Sequence, residues 1–366
     1  MEKARVKWVL RERNRKIAAK KEAFTEQQAR RVRRFHSSFK EYSPTPLIEL
    51  TNLAQHLGIK NLFVKDESYR FGLNAFKVLG GSFAIGSYIA NELGEDIDDL
   101  PYMRLVSDEV RCLLGSKTFI TTTDGNHGRG VAWTANRLKQ QAIVYMPQGS
   151  AAERLANIRA EGAQAEITDM NYDDTVRYTS ELAQKNGWII VQDTAWEGYT
   201  KIPLWIMQGY MTMALEAYEQ LPVKPTHIFL QAGVGSLAGS VQGFFADIYG
   251  SSCPLTFIVE PKGADCLYQT AVANDGCLHS VTGRLETIMA GLACGEPNSI
   301  AWEILGNLSD GFISCPDYTA AQGMRILGNP LAGDTKVSAG ESGAATVGLV
   351  AEAMRDERLS DLKQAL

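Results

Sequence analysis

The sequence predicts an α/β protein built from two interleaved three-layer domains with mostly parallel sheets. Three observations lead to this prediction. Segments with strand-like patterns alternate with helical patterns along most of the chain, which implies right-handed crossovers and parallel strands. The strands are too numerous for one sheet, so two domains are expected with a cleft between them. A chain of 366 residues that is 45% hydrophobic and 22% charged is large enough for both cores.

The first element is a basic arm. Residues 1–40 are predicted to be helical, with RERNRK, AAKK and ARRVRR on exposed faces. A solvated arm is favoured over an RNA-binding arm, and the formal net charge of −5 gives no overall signature of nucleic-acid binding. SPTPLIEL at 43–50 then predicts an extended segment, because each proline disfavours the helical conformation of the residue before it.

The elements that follow alternate in type. The predicted strands are NLFVKD (61–66), KTFITTT (117–123), QAIVYM (141–146), AQAEIT (163–168), GWIIVQD (187–193), THIFLQA (226–232), PLTFIVE (254–260) and GFISC (311–315). The predicted helices cover 76–93, 126–139, 151–161 and 172–186, and a helical pattern follows each of the last three strands.

Composition excludes several classes of protein. No apolar run approaches the roughly 20 residues of a membrane-spanning helix. The N-terminal VKWVL is followed at once by RERNRK, so a signal peptide is not predicted. The six cysteines include no CxxC pair, which argues against a zinc ribbon, and no metal site is expected. We interpret the cysteines as reduced thiols in a cytoplasmic protein, and whether Cys266 and Cys294 pair stays open.

Three unusual segments follow predicted strands. They are TTTDGNHG (121–128), QDTAWEG (192–198) and QAGVGSLAG (231–239). In open parallel sheets, ligands bind beyond the carboxyl ends of the strands. These segments are therefore the candidates for a binding site.

The glycine-rich turn at 231–239 is suited to phosphate. Its glycines let the backbone approach an anion, and the helix that follows offers free N–H groups. A tight turn that binds nothing is the alternative, and the turn alone does not decide between them. A Walker A loop is excluded because no Lys-Ser/Thr pair follows, and the dinucleotide fingerprint is only partial.

Lys77 lies at a predicted helix start among apolar and small residues. Such surroundings favour the neutral amine, which can form a Schiff base with an aldehyde. A lone lysine is more often a surface residue with a buried stem. Together with a phosphate turn and the asparagine of GNHG, however, Lys77 completes what pyridoxal phosphate requires.

The GNHG turn supplies the remaining groups. Asn126 can donate to the ring hydroxyl of that cofactor, and the N–H groups around Thr123 and Gly125 can hold a substrate carboxylate. We interpret His127 as a capping or packing residue rather than a catalytic one. Asp124 stands directly before this turn, where burial of a carboxylate is costly.

These motifs, in this order, resemble the fold type II pyridoxal-phosphate enzymes related to serine and threonine dehydratases. Within that family the chain closely resembles the ammonia-lyases that act on 2,3-diaminopropionate. The similarity covers roughly residues 35–350. The strings that carry it are VKDESYRFGLNAFK, TTTDGNHGRGVAW, IVYMPQGSA, TDMNYDDTVR, VQDTAWEGYTKIP, QAGVGSLAG, MAGLACGEPN and GESGA.

The resemblance implies a role for each motif. Lys77 is expected to be the Schiff-base lysine and Asn126 the partner of the ring hydroxyl. The phosphate cup is expected to consist of Gly233, Val234, Gly235, Ser236 and Leu237. The family fold implies a small mobile domain at 80–195 and a large domain formed by 1–79 and 196–366. A homodimer is also expected.

The reaction implied is the conversion of D- or L-diaminopropionate and water to pyruvate and two ammonia. Lys77 is expected to remove the Cα proton of the L substrate, and Asp124 that of the D substrate. The alternatives for Asp124 are that it only attracts the cationic substrate, or that it caps the helix at Asn126. Asp193 is expected to pair with the distal ammonium, or alternatively to cap a helix that starts at Thr194. Tyr172 and Glu341 are further substrate-side candidates, and Glu341 has a helix-capping alternative.

Two other functions stay open. A serine or threonine dehydratase would share the fold, but a neutral hydroxyl substrate needs neither Asp124 nor Asp193. The family also continues after the GESGA helix into a strand with a Ser or Thr near the ring nitrogen, and no such strand is predicted before Leu366. Either the chain is truncated, or another group faces the ring nitrogen. If the strand is truly absent, a catalytically silent protein that binds pyridoxal phosphate is the second alternative.

Overall fold

A computed structural model describes residues 5–13, 21–123 and 125–365. The strands are β1 (Lys7–Leu10), β2 (Leu47–Glu49), β3 (Phe63–Lys65), β4 (Thr118–Thr122), β5 (Gln141–Met146), β6 (Gln164–Ile167), β7 (Ile189–Ile190), β8 (His227–Gln231), β9 (Leu255–Pro261) and β10 (Gly311–Cys315). The α-helices are α1 (Glu26–Ser37), α2 (Thr51–Leu57), α3 (Lys77–Leu93), α4 (Tyr102–Leu105), α5 (Asp108–Leu114), α6 (Asn126–Arg137), α7 (Ala152–Ala160), α8 (Tyr172–Asn186), α9 (Lys201–Gln220), α10 (Ser236–Tyr249), α11 (Cys266–Ala273), α12 (Ser299–Leu308), α13 (Asp317–Gly328), α14 (Glu341–Arg355) and α15 (Ser360–Ala365).

The sheets are mostly parallel, as predicted. In the described part of the chain, two sheets have four strands each, in the orders β1-β10-β9-β8 and β6-β5-β4-β7, and β2 pairs with β3 alone. The neighbours within the two large sheets run parallel, except that β1 is antiparallel to β10. Each predicted strand is present, so the α/β fold class is confirmed.

The chain forms two compact units, each assembled from separate segments. One comprises Thr45–Ser68, Glu216–Leu366 and the described part of Met1–Lys21. Its core packs β9 and β10 side chains such as Phe257 and Ile313 against helix residues such as Leu349.

The other unit comprises Glu22–Pro44 and Tyr69–Leu215. Its core includes Phe119 and Ile120 of β4 and Val131 of α6, all fully buried. The domain division at 80–195 that the resemblance implies stays a prediction.

The prediction of a helical N-terminal arm was wrong in part. Residues 26–37 are helical, but Lys7–Leu10 form the edge strand β1, whose Trp8 lies opposite Ile313. Aromatic and β-branched residues suit an extended strand, and tertiary pairing decided the conformation. Arg13 anchors the segment, since its Nε donates to Asp310 Oδ2 over 2.9 Å and its Nη1 to the Cys253 carbonyl over 2.9 Å.

Strand β7 is shorter than the predicted 187–193. It pairs with β4 only through Ile189 and Ile190, although the Val191 N–H still bonds to the Ile120 carbonyl over 2.9 Å. Beyond that point the side chain of Gln192 replaces the backbone, because its Oε1 accepts the Thr122 N–H over 3.0 Å. Among the described residues, no helix is both long and apolar enough to cross a lipid bilayer.

Candidate functional site

Lys77 is the first residue of α3. The helix begins here beside α6, and the two backbones touch: a Cβ on Gly130 would lie 2.8 Å from the Cα of Val78. Only glycine allows this approach. The contact fixes the start of α3 against the helix that follows the GNHG turn.

The Lys77 amine forms an ion pair with Asp193. Lys77 Nζ lies 3.0 Å from Asp193 Oδ2, and the two side chains are 18% and 8% exposed. Burial raises the pKa of the Asp193 carboxyl, but the Lys77 ammonium and the His127 ring lower it, and the net result is a pKa of about 2. Asp193 is therefore an anion at neutral pH, held beside the lysine that the sequence singled out.

His127 completes this cluster. Its Nδ1 lies 4.0 Å from Asp193 Oδ2, and its Nε2 donates to the Val191 carbonyl over 2.7 Å. The ring is 1% exposed. These contacts agree with a packing role, and they also bring the ring within electrostatic range of the carboxylate, which the sequence did not indicate.

Asp193 does not cap a helix at Thr194. The next helix, α9, begins at Lys201, so the capping interpretation was wrong. The segment before Asp193 is instead held by Tyr199, whose hydroxyl accepts the Gln192 N–H over 2.8 Å and donates to the Ile190 carbonyl over 3.0 Å. The backbone between the end of β7 and the Asp193 carboxylate is therefore held in place by hydrogen bonds.

Gln192 links this strand to Tyr172. Its Nε2 donates to Tyr172 Oη over 2.8 Å and to the Thr122 carbonyl over 3.2 Å, and its Oε1 accepts from Thr121 Oγ1 over 3.1 Å. Gln192 is fully buried, so its satisfied amide fixes the phenol of Tyr172 at the start of α8. Gln192 was not predicted as a site residue, and its only signal in the sequence is that it is a polar side chain after an apolar strand.

The remaining residues of the turn are placed as follows. Thr123 is buried, and its Oγ1 accepts the Gly125 N–H over 2.9 Å. Asn126 is the first residue of α6 and its side chain is exposed, so its amide is accessible to a ligand. The prediction for Asp124 lies outside the described residues.

The predicted phosphate cup lies in the other unit, between β8 and α10. Gly235 precedes the helix with φ of +100°, a left-handed conformation that favours glycine, and a Cβ there would lie 3.2 Å from Ala301, Leu267 and Leu305. The first N–H groups of an α-helix lack partners within the helix. The loop therefore presents backbone donors at the N-terminus of α10.

Asn298 shapes this loop, and the sequence did not single it out. Its backbone N–H bonds to the Val234 carbonyl over 2.8 Å, and its Nδ2 donates to Ser236 Oγ over 2.8 Å. Its Oδ1 also caps α12, accepting the N–H groups of Ile300 and Ala301. One buried amide thus joins the loop to the next helix.

Two cysteines border the loop. The thiol of Cys266 donates to the Gly233 carbonyl over 3.9 Å, and Cys294 Sγ would lie 3.3 Å from a Cβ on Gly233. They do not form a disulfide with each other. Glu341 is the first residue of α14, after the N-cap Gly340, so its two interpretations remain.

The described residues contain no group of three or more His, Cys, Asp or Glu side chains that could hold a metal ion. The donor sets do fit pyridoxal phosphate. A lysine amine can bind its aldehyde, and the exposed amide of Asn126 can donate to its hydroxyl. The backbone N–H groups at the start of α10, after the left-handed Gly235, can donate to its phosphate.

The comparisons with known proteins agree with this chemistry. Residues 39–365 match the family model described as pyridoxal-phosphate dependent enzyme. The diaminopropionate ammonia-lyase of Salmonella typhimurium is 52% identical over 337 residues, which cover 91% of this chain and 83% of that one.

Two solved structures are also similar. The holo diaminopropionate ammonia lyase from Escherichia coli has a TM-score of 0.91 at 49% identity, and the alignment covers 98% of this chain and 90% of that one. The same enzyme in complex with D-serine gives a TM-score of 0.91 at 48% identity, over 98% and 90% of the two chains. The chain belongs to the pyridoxal-phosphate dependent enzymes and, within them, to the diaminopropionate ammonia-lyase family.

Proposed function

We propose that this chain converts 2,3-diaminopropionate and water to pyruvate and two ammonia, with pyridoxal phosphate as cofactor. The observation that carries this proposal is the buried anionic Asp193 beside the Lys77 amine, 3.0 Å away. When bound, the cofactor withdraws electrons from the Cα of an amino acid and makes its proton removable. The protein must then supply a base and a site for the second amine.

Lys77 serves as cofactor anchor and base. Its amine lies in a largely buried setting at the start of α3. This amine would hold the cofactor by its aldehyde and, when not bonded to it, would accept the Cα proton of the L substrate. Asp124 is the proposed base for the D substrate, from the opposite face.

Asp193 is proposed to bind the distal ammonium of the substrate. A buried carboxylate needs a cation, and in this structure the cation is Lys77. When Lys77 holds the cofactor, the second amine of diaminopropionate can take its place beside Asp193. A serine or threonine substrate has a neutral hydroxyl there and gives the carboxylate no counter-charge, so the dehydratase function is the weaker alternative.

Other residues hold the ends of the substrate and cofactor. The substrate carboxylate is proposed to be surrounded by Thr123, Gly125 and His127. The ring hydroxyl of the cofactor is proposed to accept a hydrogen bond from Asn126. The phosphate is proposed to bind the backbone N–H groups of Gly233, Val234, Gly235, Ser236 and Leu237. Tyr172 and Glu341 are proposed to contact the substrate, and the Gln192 bond to Tyr172 Oη supports the first of these.

We further propose that the protein is a cytoplasmic homodimer with a mobile small domain at 80–195. None of the six cysteines forms a disulfide in the structure, and this supports a reducing compartment. The dimer and the mobile domain rest on the family resemblance.

The direct test is an assay of the purified chain loaded with cofactor. D- and L-diaminopropionate are each expected to give two ammonia for every pyruvate, and serine is expected to react far more slowly. Asp193→Asn serves as the matched control, since it should remove the preference for the diamine. Faster turnover of serine than of diaminopropionate by the unchanged protein would refute the proposal.

A further inference from the structure

Tyr210 carries a buried hydroxyl that the proposed reaction does not use. The residue lies on α9 and is 1% exposed. Its hydroxyl oxygen is buried and has no hydrogen-bond partner in the part of the chain that the structure describes. A buried polar group without a partner typically costs about 1–3 kcal/mol, so such a group calls for an explanation.

The ring of Tyr210 packs on the face of α3 that carries Lys77. Its centroid lies 5.1 Å from that of Phe76, the residue before Lys77, in an edge-on contact. On the other side a Cβ on Gly80 would lie 2.6 Å from Tyr210 Cε1, so the ring occupies the space that a side chain would need. Residues three apart share a helix face, so Gly80 and Lys77 are neighbours there.

The charged groups that act on the Tyr210 hydroxyl are Asp193 and Lys77, the two members of the ion pair. Burial raises the pKa of the Tyr210 phenol above its ordinary value, the Asp193 carboxylate raises it further, and the Lys77 ammonium opposes them. The phenol therefore keeps its proton at neutral pH. Toward an anion, a protonated phenol is a hydrogen-bond donor.

We propose that Tyr210 is a positioning residue for Asp193, whose carboxylate accepts a hydrogen bond from the phenol when Lys77 turns away to hold the cofactor. The inference rests on the proposed function in one respect, that Lys77 is the cofactor anchor. In the ion-paired arrangement Lys77 donates to Asp193, and the Tyr210 hydroxyl donates to no described residue. Once Lys77 leaves, the phenol keeps the buried carboxylate anionic and oriented for a substrate ammonium.

A double-mutant cycle in the cofactor-free protein tests whether the Tyr210 hydroxyl stabilises Asp193 only when the Lys77 ammonium is removed. Lys77→Met removes the ammonium and keeps the length of the side chain, which imitates the departure of Lys77 from Asp193. Tyr210→Phe removes only the hydroxyl. In the native background Tyr210→Phe should leave the Tm unchanged or slightly raised, whereas in the Lys77→Met background it should lower the Tm by about 2 °C or more.

Tyr199→Phe is the matched control. Its hydroxyl bonds the Gln192 N–H over 2.8 Å and the Ile190 carbonyl over 3.0 Å, independently of Lys77. Its loss should therefore lower the Tm equally in both backgrounds. If Lys77→Met does not fold, Lys77→Ala repeats the cycle.

A second measurement uses the cofactor. Tyr210→Phe should weaken cofactor affinity by about tenfold, measured by absorbance titration, because only the loaded protein needs the phenol. Equal effects of Tyr210→Phe on the Tm in both backgrounds, no effect in either, or an unchanged cofactor affinity would each overturn the proposal. The thermal cycle contains no cofactor, so it can fail without affecting the assignment of Lys77, which borohydride reduction and peptide mapping test separately.

Discussion

The region around Lys77 and the loop around Gly235 recognise ligands by different means. The first uses ionisable side chains, an ammonium and a carboxylate 3.0 Å apart. The second uses backbone N–H groups at a helix start, shaped by one left-handed glycine and one buried asparagine. Ligand binding near Lys77 should therefore be sensitive to substitutions that change the charge of a side chain but keep its shape. Ligand binding at the Gly235 loop should be sensitive to substitutions that change the backbone conformation.

The largest effect is expected from Lys77→Ala, because both cofactor attachment and proton removal are lost. Turnover should fall by about four orders of magnitude, and borohydride reduction should no longer fix the cofactor to the protein. Lys65→Met is the control, since Lys65 is another lysine in an ion pair, 2.8 Å from Glu216, that serves no proposed chemistry. Retention of covalent cofactor by Lys77→Ala would disprove the assignment.

Asp193→Asn tests whether charge rather than shape matters in the first region. The amide keeps the size of the carboxylate and loses its charge. We expect kcat/KM for diaminopropionate to fall by about three orders of magnitude, the scale of a broken buried ion pair, while slow serine turnover persists. Equal losses on both substrates would make Asp193 a structural residue.

Asp124→Asn separates the two enantiomers. Turnover of D-diaminopropionate should fall by about two orders of magnitude, the usual scale for a lost general base, and that of the L form much less. The measurement is a pair of steady-state assays on the two enantiomers. Parallel losses would instead give Asp124 a binding or structural role.

The ion pair also predicts a pH dependence of stability. The pKa of Asp193 is lowered from 3.8 to about 2, so its contribution is present above pH 3.8 and is lost as the pH falls toward 2. A shift of this size corresponds to about 2 kcal/mol. Urea unfolding of the cofactor-free protein and of Asp193→Asn should give a constant difference in unfolding free energy from pH 7 to 5 and a shrinking one below pH 4. A difference that stays constant down to pH 3 would contradict the lowered pKa.

The smallest effect is expected in the second region, where the binding groups belong to the backbone. Asn298→Ala removes the bond to Ser236 and the cap of α12, and should weaken cofactor affinity about tenfold and cost about 1 kcal/mol of stability. Ser236→Ala keeps the backbone N–H and should cost less affinity. If the serine variant is the more damaging in cofactor titration, side chains rather than backbone form the cup.

The sequence predicted the strands and most helices because their apolar periods are regular and their ends carry glycines. It also singled out Lys77 and Asp193, which the structure brings within 3.0 Å of each other, because a polar residue after a strand or at the start of a helix stands out. Their roles stay predictions. It failed at Lys7–Leu10, where pairing with β10 overrides the basic composition of the arm.

The residues that could not be identified from the sequence make hydrogen bonds to residues far away in the chain. Gln192 stands 70 residues from its partner Thr122, and Asn298 stands 62 residues from Ser236. Nothing in the local pattern of a glutamine or an asparagine reveals such a bond. Tyr210 is hidden for another reason, because an aromatic residue within a long apolar helix is indistinguishable from core.

Strand β1 has a consequence for solubility. β10 is buried on both faces, and the antiparallel strand Lys7–Leu10 lies along its outer edge with residues paired from Lys7 with Ser314 to Leu10 with Gly311. A buried strand stripped of this neighbour would present a row of unsatisfied backbone groups to other molecules, the usual template for strand-by-strand aggregation. β1 is itself an edge strand, but it has only four residues and begins with Lys7, and short, charged edges disfavour further strand pairing. Held by Arg13 on Asp310, it therefore replaces the buried edge of β10 with one less suited to joining separate copies of the sheet.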